Sequence, residues 1–300
     1  MLFTILRFKS TQMRKLILLL VTVFVSALLP QTVSAQSFYA MRQQRDLIFS
    51  FGVNSSTYYG DLKSDKDVFD LKPSLSLGAQ YYFTDRIGAR AELSWISLSA
   101  DDSKSGEEGK IGRNLSFKTT GYEFAVTGVV NLLSQGTRYY QRPVINPYGF
   151  IGIGALYFNP KAELNGTKYA LQPLQTEGVD YSRVTMIIPY GLGARVKVSP
   201  FLNVCIEAGW RKTFSDYIDD VSTVYADPAT LKNDLARQLA DRRWEIGKSP
   251  MTAGKKRGDP SNDDAYMLLA AKFEYYLPVR IGSGQNKLYN KKRKSYYRRR

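Results

Sequence analysis

The side chains able to do chemistry in this 300-residue chain are few in kind. Histidine is absent and Cys205 is the single cysteine. The commonest general base and metal ligand is therefore missing, and neither an intrachain disulfide nor a thiolate metal cluster can form. No Ser/His/Asp set can be assembled, so the expectation is a non-enzymatic protein with no cofactor and no metal. What remains is charge. Glu92, Glu123, Glu207 and Glu274, with Arg90, Arg195, Lys197, Arg211 and Lys272, all alternate with apolar residues. Paired carboxylates can do acid–base work, but here each has an arginine or lysine within plausible reach, which points to structural ion pairs. Asp216, Asp219 and Asp220 cluster around Tyr217. They could offer oxygens to calcium, yet their spacing matches no recognised calcium loop, and solvated loop acids are the simpler reading. Arg257-Gly258-Asp259 spells an adhesion tripeptide and is read as coincidence in a polar loop. Asn54, Asn114 and Asn165 fit the glycan-acceptor pattern, a short signal that does not by itself imply a glycan.

The charged residues lie in segments of about ten residues with a two-residue period, the pattern of strands with two unlike faces. Eight such segments are predicted: 46–54, 73–83, 86–98, 117–131, 147–158, 184–198, 201–213 and 265–277. In the second, Leu75, Leu77, Ala79, Tyr81 and Phe83 oppose Ser74, Ser76, Gly78 and Gln80. In the seventh, Val204, Ile206, Ala208 and Trp210 oppose Asn203, Cys205, Glu207 and Arg211. The fifth is Gly-rich, and Gly149, Gly152 and Gly154 are expected to mark close packing or bulges. Thr84-Asp85 and Ser199-Pro200 make tight turns, whereas 55–72, 99–116, 159–183 and 214–264 are long connections; 132–146 is intermediate. In the last long connection Asp227 can cap and Pro228 can start a helix carrying Leu231, Leu235 and Leu239.

Short and long connections in alternation, an even strand count, and aromatics near strand ends (Tyr81, Phe83, Trp95, Tyr122, Tyr157, Tyr275) predict an all-β fold. The expected architecture is a closed, antiparallel, eight-stranded up-and-down outer-membrane barrel with a short helix in the last long loop. A soluble sandwich or lipocalin-like barrel would also alternate. The mixed charges on the second face favour a filled lumen. Eight strands enclose only enough room for side chains, and unpaired ions there cost several kcal/mol each. The nine charges named above are therefore expected to form an internal ion-pair network; an ion-selective pore is the alternative.

The ends carry separate signals. Arg14 and Lys15, the apolar run Leu16 to Leu29 and Val33-Ser34-Ala35 read as a signal peptide over 1–35, with Met13 a second candidate start. Residues 36–45 are then a periplasmic segment, 46–277 the barrel and 278–300 a basic periplasmic tail. That tail holds Lys291, Lys292, Arg293, Lys294, Arg298, Arg299 and Arg300, and residues 281–300 contain no acid. Leader and tail account for most of the net charge of +15, so the basic pI does not indicate nucleic acid. Either the tail is simply solvated, or it is an arm for an acidic partner surface.

Several stretches carry a resemblance: NSSTYYGDL (54–62), KPSLSLGAQYYFTDRIGARAELSW (72–95) running on to SADD (99–102), NPYGFIGIGALYFNP (146–160), IPYGLGARVKVS (188–199), EAGWRKTFSDYIDDVSTVY (207–225) and RGDPSNDDAYML (257–268). The chain resembles the PorG-type outer-membrane barrels of the Bacteroidetes type IX (Por) secretion system. The resemblance implies outer-membrane lipid and periplasmic secretion-ring proteins as partners, and it brings no catalytic residues. It places Tyr59, Gly60 and Asp61 in one family motif, and Arg211, Asp216, Tyr217, Asp219 and Asp220 in another, with an implied role in ordering the outer loops.

Overall fold

The computed structural model describes residues 46–62, 72–135 and 139–277. The predicted leader, the 36–45 segment and the basic tail lie outside these residues. Eight long strands run in sequence: β1 (Leu47–Tyr59), β2 (Lys72–Tyr82), β3 (Ile87–Asp101), β4 (Ser116–Asn131), β5 (Ile145–Tyr157), and, after a small hairpin of β6 (Pro160–Leu164) and β7 (Thr167–Ala170), β8 (Val184–Lys197), β9 (Leu202–Thr213) and β10 (Ala265–Tyr276). Each long strand pairs antiparallel with its sequence neighbours. The ring closes where β1 meets β10, with Ile48 opposite Tyr276 and Tyr59 opposite Ala265. This is the predicted eight-stranded up-and-down barrel. Closure leaves no free edge in the ring, which is what a sheet needs in a medium without hydrogen-bonding solvent.

Several strands outrun their predicted ends at the long-loop side. β1 continues to Tyr59, not 54, and β3 to Asp101, not 98. Toward this end of β3 the alternation fades: Ile96, Ser97 and Leu98 are all buried, residues 99–101 are all half-buried, and the inward Ile96 and Leu98 are apolar, so the contrast between faces is lost there. Gly152 and Gly154 do mark close packing, since a Cβ at either would overlap backbone of β4. No bulge results. Ile151 pairs with Tyr190 and Gly154 with Ile187, an equal count on both strands. The ladder lapses between them beside Pro189, which has no N–H to donate.

The helix of the last loop begins later than predicted. Asp227 accepts from the Ala229 N–H at 2.9 Å and closes only a turn. The helix α2 (Asp234–Ala240) is capped by Asn233, whose side chain accepts from the Ala236 N–H at 2.8 Å. A second short helix, α1 (Glu108–Arg113), lies in the β3–β4 loop.

Outward residues are large, apolar and uncovered: Leu192 is 69% exposed, Ile206 68% and Ile151 64%. A continuous apolar surface of this kind cannot face water in a soluble protein. Trp95, Tyr122 and Tyr157 stand in register across β3, β4 and β5. At the other end Phe83 and Tyr275 lie outward, and Phe201 stacks on Tyr275. Ten residues at about 3.3 Å each, tilted about 40°, separate Tyr122 from Leu132 by about 25 Å, the height of a lipid-facing band. No helix among the described residues is long and apolar enough to cross a membrane; the strands do so.

Candidate functional site

The inward faces bring eight of the nine predicted lumen charges into buried pairs. Nearest the short turns, Arg195 is held by Glu274 through two bonds of 2.5 and 2.8 Å and donates to Asn131 Oδ1 at 2.8 Å. Its guanidinium lies 4.5 Å from the Tyr148 ring centroid. At mid-barrel two cations and two anions form one cluster. Glu207 is bonded to Arg90 and lies 2.7 Å from Lys272, and Glu92 is bonded to Lys272 and lies 3.7 Å from Arg90. The Tyr148 hydroxyl also donates to Glu207, and Phe150 lies under Arg90. Above these, Glu123 accepts from Arg211 at 3.4 Å and from the Tyr266 hydroxyl at 2.7 Å. The four arginines and lysines and four glutamates balance, as buried ions must.

Lys197 is the exception. It sits half-buried at the short-turn end, donates to the Arg142 carbonyl at 2.7 Å and lies 4.8 Å from the Tyr139 ring centroid. It is the last residue of β8, and none of the ion pairs among the described residues uses it. Arg142, from the intermediate connection, instead enters this end of the barrel and covers Tyr276 at 3.8 Å.

Toward the long loops the lumen becomes an apolar plug in which Tyr58, Ile96, Leu98, Phe117, Leu156, Ile187, Ile218 and Tyr266 pack together. Above it the loops are tied into a cap, where the second set of predicted residues lies. The Tyr58 hydroxyl is 2.7 Å from Asp219 and bonded to Asp264. A phenol has one proton to donate, so this trio is fully paired when one of the two aspartates is protonated. Burial pushes the carboxyls of Asp219 and Asp264 well up, and for Asp264 the neighbouring Asp219 adds to the effect. Asp216 is pushed up to about 7 by burial. Asp220, in the left-handed backbone region, accepts from Tyr181 at 2.6 Å and from Thr176. Tyr217 stacks on Tyr181 at 4.6 Å. Asp61 accepts from the Asp259 N–H at 2.7 Å. A Cβ at Gly60 would overlap the Tyr58 hydroxyl and the Asp264 carboxylate. Tyr59 is half-buried at the end of β1.

Sequence reasoning missed the main ties of the cap. Arg257 is buried: it donates to Glu177 at 2.8 Å, to the Asp220 carbonyl at 2.6 Å and to the Ala240 carbonyl at 3.2 Å. The tripeptide that reads as an adhesion signal thus has its arginine turned inward. Glu177 also accepts from the N–H groups of Ser222 and Thr223. Arg113 grips Asp102 through two bonds of 2.7 and 2.9 Å and donates to the Asp61 carbonyl at 3.0 Å. Arg257, Glu177, Arg113 and Asp102 come from three different loops and tie in a fourth through the Asp61 carbonyl, so no local spacing announced them. No group of three or more candidate ligands among the described residues could hold a metal ion.

A family model described as "Outer membrane protein beta-barrel domain" matches residues 19–233. The chain belongs to this family, and it is an outer-membrane β-barrel protein. Among solved structures it is similar to the Neisserial surface protein A, at 8% identity over 77% of this chain and 97% of that one, TM-score 0.39. Ail of Yersinia pestis matches at 11% over 78% and 100%, TM-score 0.39, and OprG of Pseudomonas aeruginosa at 11% over 79% and 98%, TM-score 0.40. None of the curated proteins compared matches the chain.

Proposed function

We propose that the protein is a non-enzymatic outer-membrane anchor that docks a periplasmic assembly in type IX protein secretion. The observation carrying this reading is the filled barrel. Three ion-paired layers and an apolar plug, closed by the Tyr58 cap, fill the barrel, so cargo has no route through it and the protein serves export by holding something else. The resemblance of 207–225 and the other stretches to PorG-type barrels supplies the system. On this reading the short-turn end, where β1 begins and β10 finishes, faces the periplasm, the long loops face outward, and the basic tail is the arm toward the secretion-ring proteins. The test is a pulldown from detergent-solubilised outer membranes, with the full chain and with residues 281–300 removed. A periplasmic protein should co-purify with the full chain and be released by the truncation, with loss of cargo export. No co-purifying protein with export intact refutes the reading.

A second reading, a stand-alone surface barrel that contacts ligand or host through its loops, is favoured by a cleft of about 710 Å³ at the cap, walled by Lys110, Arg243, Lys248 and Glu108. It predicts that changes in 214–264, and not in the tail, alter the phenotype.

A further inference from the structure

We propose that the lipid-facing wall of the barrel holds one ordered phospholipid at the short-turn end, its phosphodiester on Arg86. A groove of about 570 Å³ opens there between β4, β5 and β8, lined by Arg86, Val130, Leu132, Pro147, Gly149 and Leu192. Its floor is Gly149, which pairs with Val130 on one side and Leu192 on the other, all on the outward face. Val130, Leu132 and Leu192 are 55%, 65% and 69% exposed. Neither backbone nor packing requires glycine at this place. A Cβ there would meet nothing nearer than Leu192 Cδ2 at 3.6 Å, an ordinary contact, and its φ is not in the left-handed region. The missing side chain is what makes the wall concave.

Arg86 stands at the end of the groove in the β2–β3 turn, fixed beside β4 by its carbonyl, which accepts from the Asn131 N–H at 2.8 Å. Its side chain is exposed, and no ion pair among the described residues uses it. The adjacent Asp85 is engaged with the 134–135 turn: its carboxylate accepts from the Ser134 hydroxyl and its carbonyl from the Gln135 N–H. A guanidinium at the edge of an apolar slot complements a headgroup phosphate above an acyl chain. The medium chooses the occupant, since this face lies in lipid. Lipid tails are as apolar as leucine, so the slot gains no hydrophobic free energy over bulk membrane. Retention then depends on close packing against the Gly149 floor and on the Arg86 contact.

The experiment is native mass spectrometry of the full chain released from vesicles of phosphatidylglycerol and phosphatidylcholine, and in parallel from native outer membranes. One phospholipid should stay bound. Arg86→Gln should weaken its retention about fivefold, the effect of one basic residue near a lipid surface. Gly149→Ile should abolish it while heat-modifiable gel migration shows the barrel folded. Arg183→Gln, the same charge change at the opposite end, should leave it unchanged. Equal retention in all four proteins, an equal loss in Arg183→Gln, or capture of lipopolysaccharide instead of phospholipid from native membranes would each overturn the proposal.

Discussion

Replacing Glu207 by Gln tests whether the barrel is an ion-paired solid or a wet channel. Glu207 touches both Arg90 and Lys272, with Glu92 as the only other anion of that cluster. The side chain is 3% exposed and its partners are equally enclosed. Glu207→Gln keeps the shape but leaves two buried cations facing one carboxylate, and it takes a charged acceptor from the Tyr148 hydroxyl. Breaking a buried pair from one side costs about 3–5 kcal/mol, whereas an exposed pair is worth about 0–1 kcal/mol. Reversible urea unfolding in lipid vesicles, followed by tryptophan fluorescence and gel migration, measures the difference. The double variant Glu207→Gln/Lys272→Met returns the cluster to one cation and one anion, Arg90 and Glu92. It should therefore be more stable than the single variant, with a coupling well beyond the few tenths of a kcal/mol expected of independent sites. A single-variant cost below about 1 kcal/mol, or strictly additive effects, would show that water screens the lumen and would refute the plug.

The cap should loosen as pH rises. With its folded value near 7 against about 3.9 unfolded, the Asp216 carboxyl contributes stability that is complete below about pH 4 and is lost as pH climbs through about 7; Asp219 and Asp264 act in the same direction. Thermolysin nicking of 214–264, normalised to a peptide substrate, should quicken between pH 5 and 8, and Asp216→Asn should flatten that dependence; slower nicking at high pH would contradict it. Gly60→Ala should cost the cap about 1–3 kcal/mol through overlap with Tyr58 and Asp264, seen as faster hydrogen exchange across 214–264 with the strands unaffected. Arg257→Lys cannot reproduce the bonds to Glu177, Asp220 and Ala240 and should speed the same exchange, while Lys256→Gln, at an exposed pair with Asp259, should change it by less than about 0.5 kcal/mol.

The sequence by itself determined the barrel. A two-residue period forces every strand to present one greasy and one ionic face, and tight turns alternating with long loops leave an up-and-down ring as the simplest closure. It also named the lumen charges, because each is an ion in a row where lipid-facing neighbours are apolar. Lys197 escaped this logic: alternation tells which face a residue takes, not how deep along the barrel it lies or whether an acid reaches it. Tertiary structure alone decided the pairings within the lumen, the apolar plug above them, and the cap. Glu177, Arg257, Arg113 and Asp102 are scattered over loops with no period to read. Bringing them together needs the ring to close first, since only then do four loop ends share one mouth, where a buried charge must find its partner or be expelled.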